Sequence, residues 1–356
     1  MPEGGRLPPT LLWGIGLLFA LSLPPLAAPW LAPYDPAEQM DAAVAKNRPP
    51  GAVLAAVQLA DGSWRLAERA ERVPGGLRLE TGGRSEVLPE SAVLNMTADG
   101  VADRRRFLLG TDRLGRDLWA RMLYGGRISL LIGALSALLA LTLGVAVGAA
   151  AALGGRWVDM VLMRLVDAFL SFPWIFLVIT LAALFKPGTM PLVLIIGVTG
   201  WMGISRLLRA EILGLKQREF VLAARALGQH PFAIFWRHLL PNAFTPVLIQ
   251  TTILVGESIL VESALSFLGF GVQPPTPSWG NLVAEGSGPS ALFSSWWLAT
   301  FPGVAITITV IALNLTGDGL RDLLDPRSRE RGPLDLLLPG SLTPPPAAAD
   351  ATLPPL

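Results

Sequence analysis

The sequence predicts an all-α integral membrane protein with six transmembrane helices and a small extracytoplasmic β insertion. Three observations carry that prediction. Of 356 residues, 52% are hydrophobic and only 15% charged, and long stretches carry no charge at all. Six runs are long and apolar enough to cross a hydrocarbon core, which takes about 20 mostly apolar residues per helix. Lys and Arg gather in alternate links between those runs, as six crossings require.

The first span covers Thr10 to Leu31. It reads as a retained helix, because a cleaved leader has an apolar region of about 7–15 residues and a basic start. Here the start carries Arg6 alone, although "LAA" near the end has some cleavage-site character. Residues 1–32 hold this unit. Residues 33–107 form an extracytoplasmic insertion, in which "AVQLADGSWRLA" reads as a hairpin about Asp61-Gly62 and "LRLETGGRSEVL" as a second about Gly82-Gly83. Residues 108–320 carry the remaining spans, Ile128 to Leu153, Val161 to Leu184, Met190 to Leu208, Ala243 to Phe267 and Trp296 to Leu315. Residues 321–356 form a tail, rich in Pro and Ala, that reads as disordered at its end.

Arg209, Lys216, Arg218, Arg225 and Arg237 lie between the fourth and fifth spans, Arg156 between the second and third, and Arg321, Arg327, Arg329 and Arg331 after the sixth. Leu268 to Ser295 contains no Lys or Arg, and the link after the third span has only Lys186. Both termini are therefore expected in the cytoplasm. Within the spans, Arg164 and Asp167 are spaced to pair on one helix face, and Glu257 and Glu262 lie in the fifth span. Burying a carboxylate in lipid is costly, so at least one of the two is expected to face a pore or a partner helix. Trp279, Trp296 and Trp297 suit an interface belt.

Several functions are excluded. With no Cys there is no disulfide framework and no thiolate metal site, and His230 and His238 are too few for a metal cluster. No nucleophile–base constellation and no G-x-x-x-x-G-K-[ST] phosphate loop occur. The chain is not expected to be an enzyme or to hold a cofactor; ATP and Mg, if used, belong to another subunit. No nucleic-acid partner is expected.

The most informative stretch is the cytoplasmic loop at about 211–242. Glu211 to Ala226 is made of good helix formers. Gly228 then leaves the right-handed region cheaply, and Pro231 removes a donor while suiting the first turn of a new helix. The loop reads as helix, tight turn, short helix and a stop at Pro241. Ala223 and Ala224 leave room for another surface, and "FAIFW" supplies an apolar face. Either a cytoplasmic partner's groove covers that face, or it lies against the protein's own spans or the lipid.

This loop resembles the "EAA" coupling loop of ABC-transporter permeases. Ala223, Ala224, Gly228, Leu240 and Pro241 fall at the motif's spacing, while Leu222 stands at its Glu and His238 at its Ile. Glu219, one turn before Ala223, is a candidate substitute carboxylate, and Arg225 lies within the same element. The resemblance implies that the loop docks in a groove of a cytoplasmic ATPase subunit.

"LGTDRLGRDLWARMLYGGRISLLIG", "ESALSFLGFGVQPPTPSWGNLVAEG" and "DGLRDLLDPR" resemble the permeases of dipeptide and oligopeptide importers, of the second type in each pair. The insertion is longer than that class usually carries. The resemblance implies the type I ABC importer permease fold in a prokaryotic cytoplasmic (inner) membrane. It implies a second homologous permease, two ATPases, an extracytoplasmic substrate-binding protein and a peptide cargo moved by alternating access. Asp112, Arg113, Arg116 and Asp117 are candidates for touching the binding protein, and Glu257 and Glu262 for pore or gating roles. Nickel or another small solute is an alternative cargo, and a stand-alone channel or secondary transporter the alternative of another class.

Overall fold

A computed structural model describes residues 7–94 and 103–324. Arg6, Arg327, Arg329, Arg331 and the Pro-rich tail lie outside the described residues. The chain opens with α1 (Pro9–Leu26), which ends just past the donor-less Pro24-Pro25 pair, and the short α2 (Ala28–Leu31).

The insertion follows, with α3 (Ala42–Ala45), β1 (Ala52–Gln58), β2 (Trp64–Ala67), β3 (Arg69–Val73), β4 (Gly76–Thr81), β5 (Arg84–Pro89) and β6 (Asp103–Phe107). These form two antiparallel sheets ordered β2-β1-β6 and β3-β4-β5. β1 pairs with β2 across the Asp61-Gly62 turn. β4 pairs with β5 across Gly82-Gly83, where both glycines have positive φ, as a two-residue I′ turn demands. β1 is buried on both faces. Leu54 and Ala56 meet Met40, Val44, Leu66 and Phe107 on one side. Ala55 and Val57 meet Ala70, Leu77 and Leu79 on the other. Arg105 sits 5.2 Å from the Tyr34 ring and 4.9 Å from the Trp64 ring and pairs with Glu38 at 3.0 Å. It thereby ties the segment leaving α1 to the sheets.

The bundle continues with α4 (Leu118–Leu153), α5 (Gly155–Leu170), α6 (Trp174–Leu184), α7 (Thr189–Leu215), α8 (Glu219–Ala226), α9 (Pro231–Ile234), α10 (Leu240–Phe267), α11 (Trp279–Gly286), α12 (Pro289–Ser294) and α13 (Trp297–Leu324). Their close approaches fix their directions. Gly144 meets Ile204 and Gly148 meets Ser205, so α4 and α7 run parallel. Gly133 meets Ile259 and Ser129 bonds Glu262, so α10 is antiparallel to α4; Gly14 meets Thr316 and Gly319 meets Leu11, so α1 is antiparallel to α13. The start of α1 and the end of α13 therefore lie at the α8–α9 end of the bundle. The insertion, α11 and the start of α4 lie at the other.

Three expectations need correction. The third span, Val161 to Leu184, is not one helix: α5 and α6 meet at 82°. Pro173 removes a ladder donor and, itself extended at ψ 114°, disfavours helical angles at the residue before it. The continuous helix Glu211 to Ala226 is broken between Leu215 and Glu219. Pro241 does not stop the chain. It stands in the first turn of α10, where no donor is required, and a π-turn at Phe235–Leu239 joins α9 to it.

α4 and α7 pack through the pair Gly144 and Gly148, a small-xxx-small stripe of the kind that lets membrane helices approach without a hydrophobic drive. A Cβ at Gly148 would lie 2.6 Å from the Ser205 backbone oxygen, which cannot yield. Gly148→Ala is expected to lower the thermal unfolding temperature in detergent, at an overpacking cost of about 1–3 kcal/mol. Gly203→Ala meets nothing within 4 Å and is expected to leave that temperature unchanged or higher.

Candidate functional site

Two places concentrate polar and apolar chemistry, one at each end of the bundle. The first is the α8–α9 turn. α8 ends in a Schellman arrangement: Gly228 N donates to Arg225 O at 2.9 Å and Gln229 N to Ala224 O at 3.1 Å. Gly228 has φ +73°, a region that costs other residues strain. His230 Nδ1 accepts from Phe232 N at 3.3 Å and caps α9. Glu219, in the first turn of α8, suits the positive end of the helix, and Arg225, in the last, the negative end.

This element has two faces, so both readings left open by its composition describe part of it. Val221, Ala224, Ile234, Phe235 and Leu239 pack into the protein's own core with Leu208 and Ile212 of α7 and Ala152 of α4. Ala223 is exposed, and so are Phe220, Leu222, Leu227 (81%), Phe232 (65%) and Trp236 (53%). That apolar knob, with Arg218, Arg225 and Arg237 around it, is what a groove would cover. Glu219 and Pro241 are exposed, and Leu240 is half-buried beneath the knob. Lys216 Nζ bonds the Ala152 carbonyl at the end of α4, where a cation also suits the helix dipole.

Asp167 pairs with Arg206 of α7 and not with Arg164, correcting the expected pair. The next charges along, Asp159 and Arg209, make a two-pronged pair, with Nη2 to Oδ2 at 2.6 Å. These two contacts fasten the outlying α5 to α7.

The second place is the insertion end, where charges are buried. Arg121 makes a fork onto Glu285, 2.6 and 2.8 Å, and reaches Asp112 Oδ2 at 2.5 Å. Arg116 donates to Asp112 at 2.7 Å and Glu285 at 3.2 Å. Two cations thus meet two carboxylates, a neutral set with each charge answered. Burial alone would raise Glu285, but hydrogen bonds and charge from Arg121, with Arg116 and Arg113, hold it below the usual carboxylate range. Of the four residues expected to face a partner, Asp112, Arg116 and Asp117 are buried here, and only Arg113 is exposed. Sequence reasoning missed Arg121 and Glu285; they stand 164 residues apart, beyond any local pattern.

Asp117 caps α4, accepting from Ala120 N at 2.9 Å, while its Oδ1 is buried without a partner. Burial and the Asp112 charge push its carboxyl up to about 6, against the backbone bonds of Ala120 and Trp119.

Beside this set, Glu262 is fully buried and accepts from the hydroxyls of Ser278 at 2.8 Å, Ser266 at 2.7 Å and Ser129 at 3.1 Å. Ser278 also forms a reciprocal capping box with Asn281 at the start of α11. α4, α10 and α11 are joined through one carboxylate. Glu257, in the same helix, is exposed instead. Trp279 and Trp297 are buried and donate to the carbonyls of Met122 and Thr111; they are core anchors, and only Trp296 keeps the exposure of a belt residue. Among the described residues no group of His, Asp and Glu is arranged to hold a metal.

Residues 140–330 match the family model of the binding-protein-dependent transport system inner membrane component. The insertion lies outside that match. A Brucella suis protein provisionally named a peptide transport system permease protein is 44% identical over 225 residues, covering 63% of this chain and 75% of its own. A second Brucella suis protein, provisionally named a peptide permease protein, is 40% identical over 235 residues, 66% of this chain and 78% of its own. The dipeptide transport system permease protein DppC of Bacillus subtilis is 40% identical over 220 residues, 62% and 68% of the two chains.

Two outcomes are expected at the insertion end. Arg121→Met leaves Arg116 as the one cation for both Asp112 and Glu285, an uncompensated buried negative charge, and is expected to cost about 3–5 kcal/mol in detergent unfolding; a loss under 1 kcal/mol would show the set to be dispensable. Asp117 has a folded-state value near 6 and an unfolded one near 3.9, so the folded chain binds the extra proton between them. Stability from this group therefore rises as pH falls from about 7 to 4. Asp117→Asn, which still caps α4, is expected to remove that increment from the unfolding temperature measured across the same range.

Proposed function

We propose that this chain, which belongs to the binding-protein-dependent transport system inner membrane component family, is the permease subunit of an ATP-driven peptide importer working by alternating access. The family matches more than half of the chain, residues 140–330, and its description, an inner membrane component of a binding-protein-dependent transport system, supports a substrate-binding partner and a separate motor. The peptide cargo rests on the relatives, whose names assign them to peptide or dipeptide transport.

The observation that carries the mechanism is the α8–α9 turn. Its inner face is welded to α4, α7 and α10. Its outer face leaves Phe220, Leu222, Leu227, Phe232 and Trp236 bare. A partner that grips the outer face moves the spans behind it. In the proposed arrangement Glu219, Ala223, Arg225 and Gly228 meet the ATPase, and Ala224, Leu240 and Pro241 join the turn to the bundle. The core spans residues 108–320.

In the proposed orientation the turn and both chain ends are cytoplasmic, which the basic residues around the turn support, and residues 33–107 are extracytoplasmic. Two ATPases there supply ATP and Mg, and a second homologous permease completes the pathway. ATP shifts the access equilibrium only by binding one state more tightly, and the turn is the lever that carries that difference. On the outer side Arg113 is the remaining candidate contact for the binding protein. Asp112, Arg116 and Asp117 act behind it by fixing the shape of that surface.

The test is co-purification of the tagged chain from its native membrane. The wild type is expected to bring down ATPases, a second permease and a binding protein whose trapped ligand names the cargo. Gly228→Leu strains the turn by about 1–2 kcal/mol, enough to cut the captured ATPase roughly 5–30-fold. Gly228→Asn, which tolerates the same backbone, is expected to retain most of it. Wild-type chain extracted gently and carrying no ATPase would point to a stand-alone channel.

A further inference from the structure

α10 carries two carboxylates with opposite circumstances. Glu262 is closed in by three serines. Glu257, between Gly256 and Ser258 well inside the helix, is exposed, and among the described residues nothing hydrogen-bonds to it or pairs with it. An unanswered carboxylate at that depth does not face hydrocarbon.

The rest of its stripe agrees. Gln250, Glu257 and Ala264 recur every seven residues, two turns of helix, so they share one face. Gln250 is half-exposed and also without a partner among the described residues. Asn242, at the cytoplasmic start of α10, is exposed about 80° around from Gln250 by helical geometry. Ile259, Glu262 and Ser266, about 140–180° around the helix from Glu257, are buried in the bundle. α10 thus turns a face bearing amide and carboxylate groups outward where a lipid-facing helix would be wholly apolar.

We infer that this face lines the translocation pathway and that Glu257 receives the cationic α-ammonium of a passing peptide. The inference rests on the peptide-importer reading above. A peptide's backbone is a run of neutral amides, which Gln250 and Asn242 match, and its terminal carboxylate is repelled by Glu257. Its ammonium is the one group every unmodified peptide brings that answers a lone carboxylate. The competing occupant, a basic side chain of a second permease, makes a different forecast, because removing Glu257 would then weaken assembly.

The chain contains no Cys, so an introduced thiol is a clean reporter. In the complete complex in native membranes, Glu257→Cys and Gln250→Cys are expected to react with a water-soluble cationic thiosulfonate, with trialanine under turnover slowing the reaction at Gln250→Cys, where Glu257 is intact, at least threefold. Glu257→Gln is expected to lower trialanine uptake about tenfold while partners co-purify as with wild type, and Glu257→Asp to recover part of that loss. The inference is overturned if neither thiol reacts, if Glu257→Gln imports as well as wild type, or if Glu257→Gln loses the second permease. If the wild-type complex imports no trialanine, the peptide reading fails, and thiol reactivity alone decides whether the face lines a pathway.

Discussion

Everything at the insertion end hangs on one carboxylate. Glu262 is fully buried in a span and survives there because three hydroxyls from three places converge on it: Ser129 on α4, Ser266 on its own helix and Ser278 at the cap of α11. An unanswered charge at that position would cost several kcal/mol, so the serines cannot drift without the whole arrangement failing. Ser129 further holds the Trp279 amide at 3.1 Å, and α11 brings Glu285 onto Arg121 and Arg116. One buried acid thereby sets where α4, α10 and the loop between α10 and α13 meet, and the ion set beside it closes the same junction from the outside.

The two ends of the bundle differ accordingly. The insertion end is cross-braced by side chains that satisfy one another. α6, seated with Ile132, Leu192 and Val261 toward the insertion end, buries only Val178 and Ala182, and at the other end α5 buries only Val166. Phe169, Phe172, Trp174 and Phe176 are left bare. There the chain relies on ion pairs from α5 to α7 and on the inner face of the α8–α9 turn. A molecule braced at one end and open at the other can alter the splay of its helices without losing its core.

How much of this was legible follows the range of each interaction. The spans could be read because apolar length is a local property, and so could the turn at Gly228, where a positive φ needs Gly. The break between α5 and α6 was also written locally, in Phe172-Pro173, but a continuous apolar run concealed it. What escaped is long-range. Asp167 chose Arg206 over its neighbour Arg164, and Arg121 found Glu285 across 164 residues of chain. Trp279 and Trp297, whose residue type suits an interface, were instead drawn into the core by carbonyls that only the folded chain brings near. Glu257 and Glu262 look alike in sequence; only their surroundings separate a satisfied hub from an open carboxylate.

The Schellman turn at Gly228 also bears on how such a subunit changes over generations. The backbone of α8 and α9 is held by its own hydrogen bonds and by an inner face sunk in the bundle, so the outward side chains are free of any duty to the fold. Leu222, standing where the family motif has Glu, is one of them. Substitutions on that knob can accumulate with little penalty to stability, provided a partner changes in step. Divergent copies of one ancestral permease could in this way become deaf to each other's motors while keeping the same architecture, so that several importers coexist in one membrane without exchanging parts.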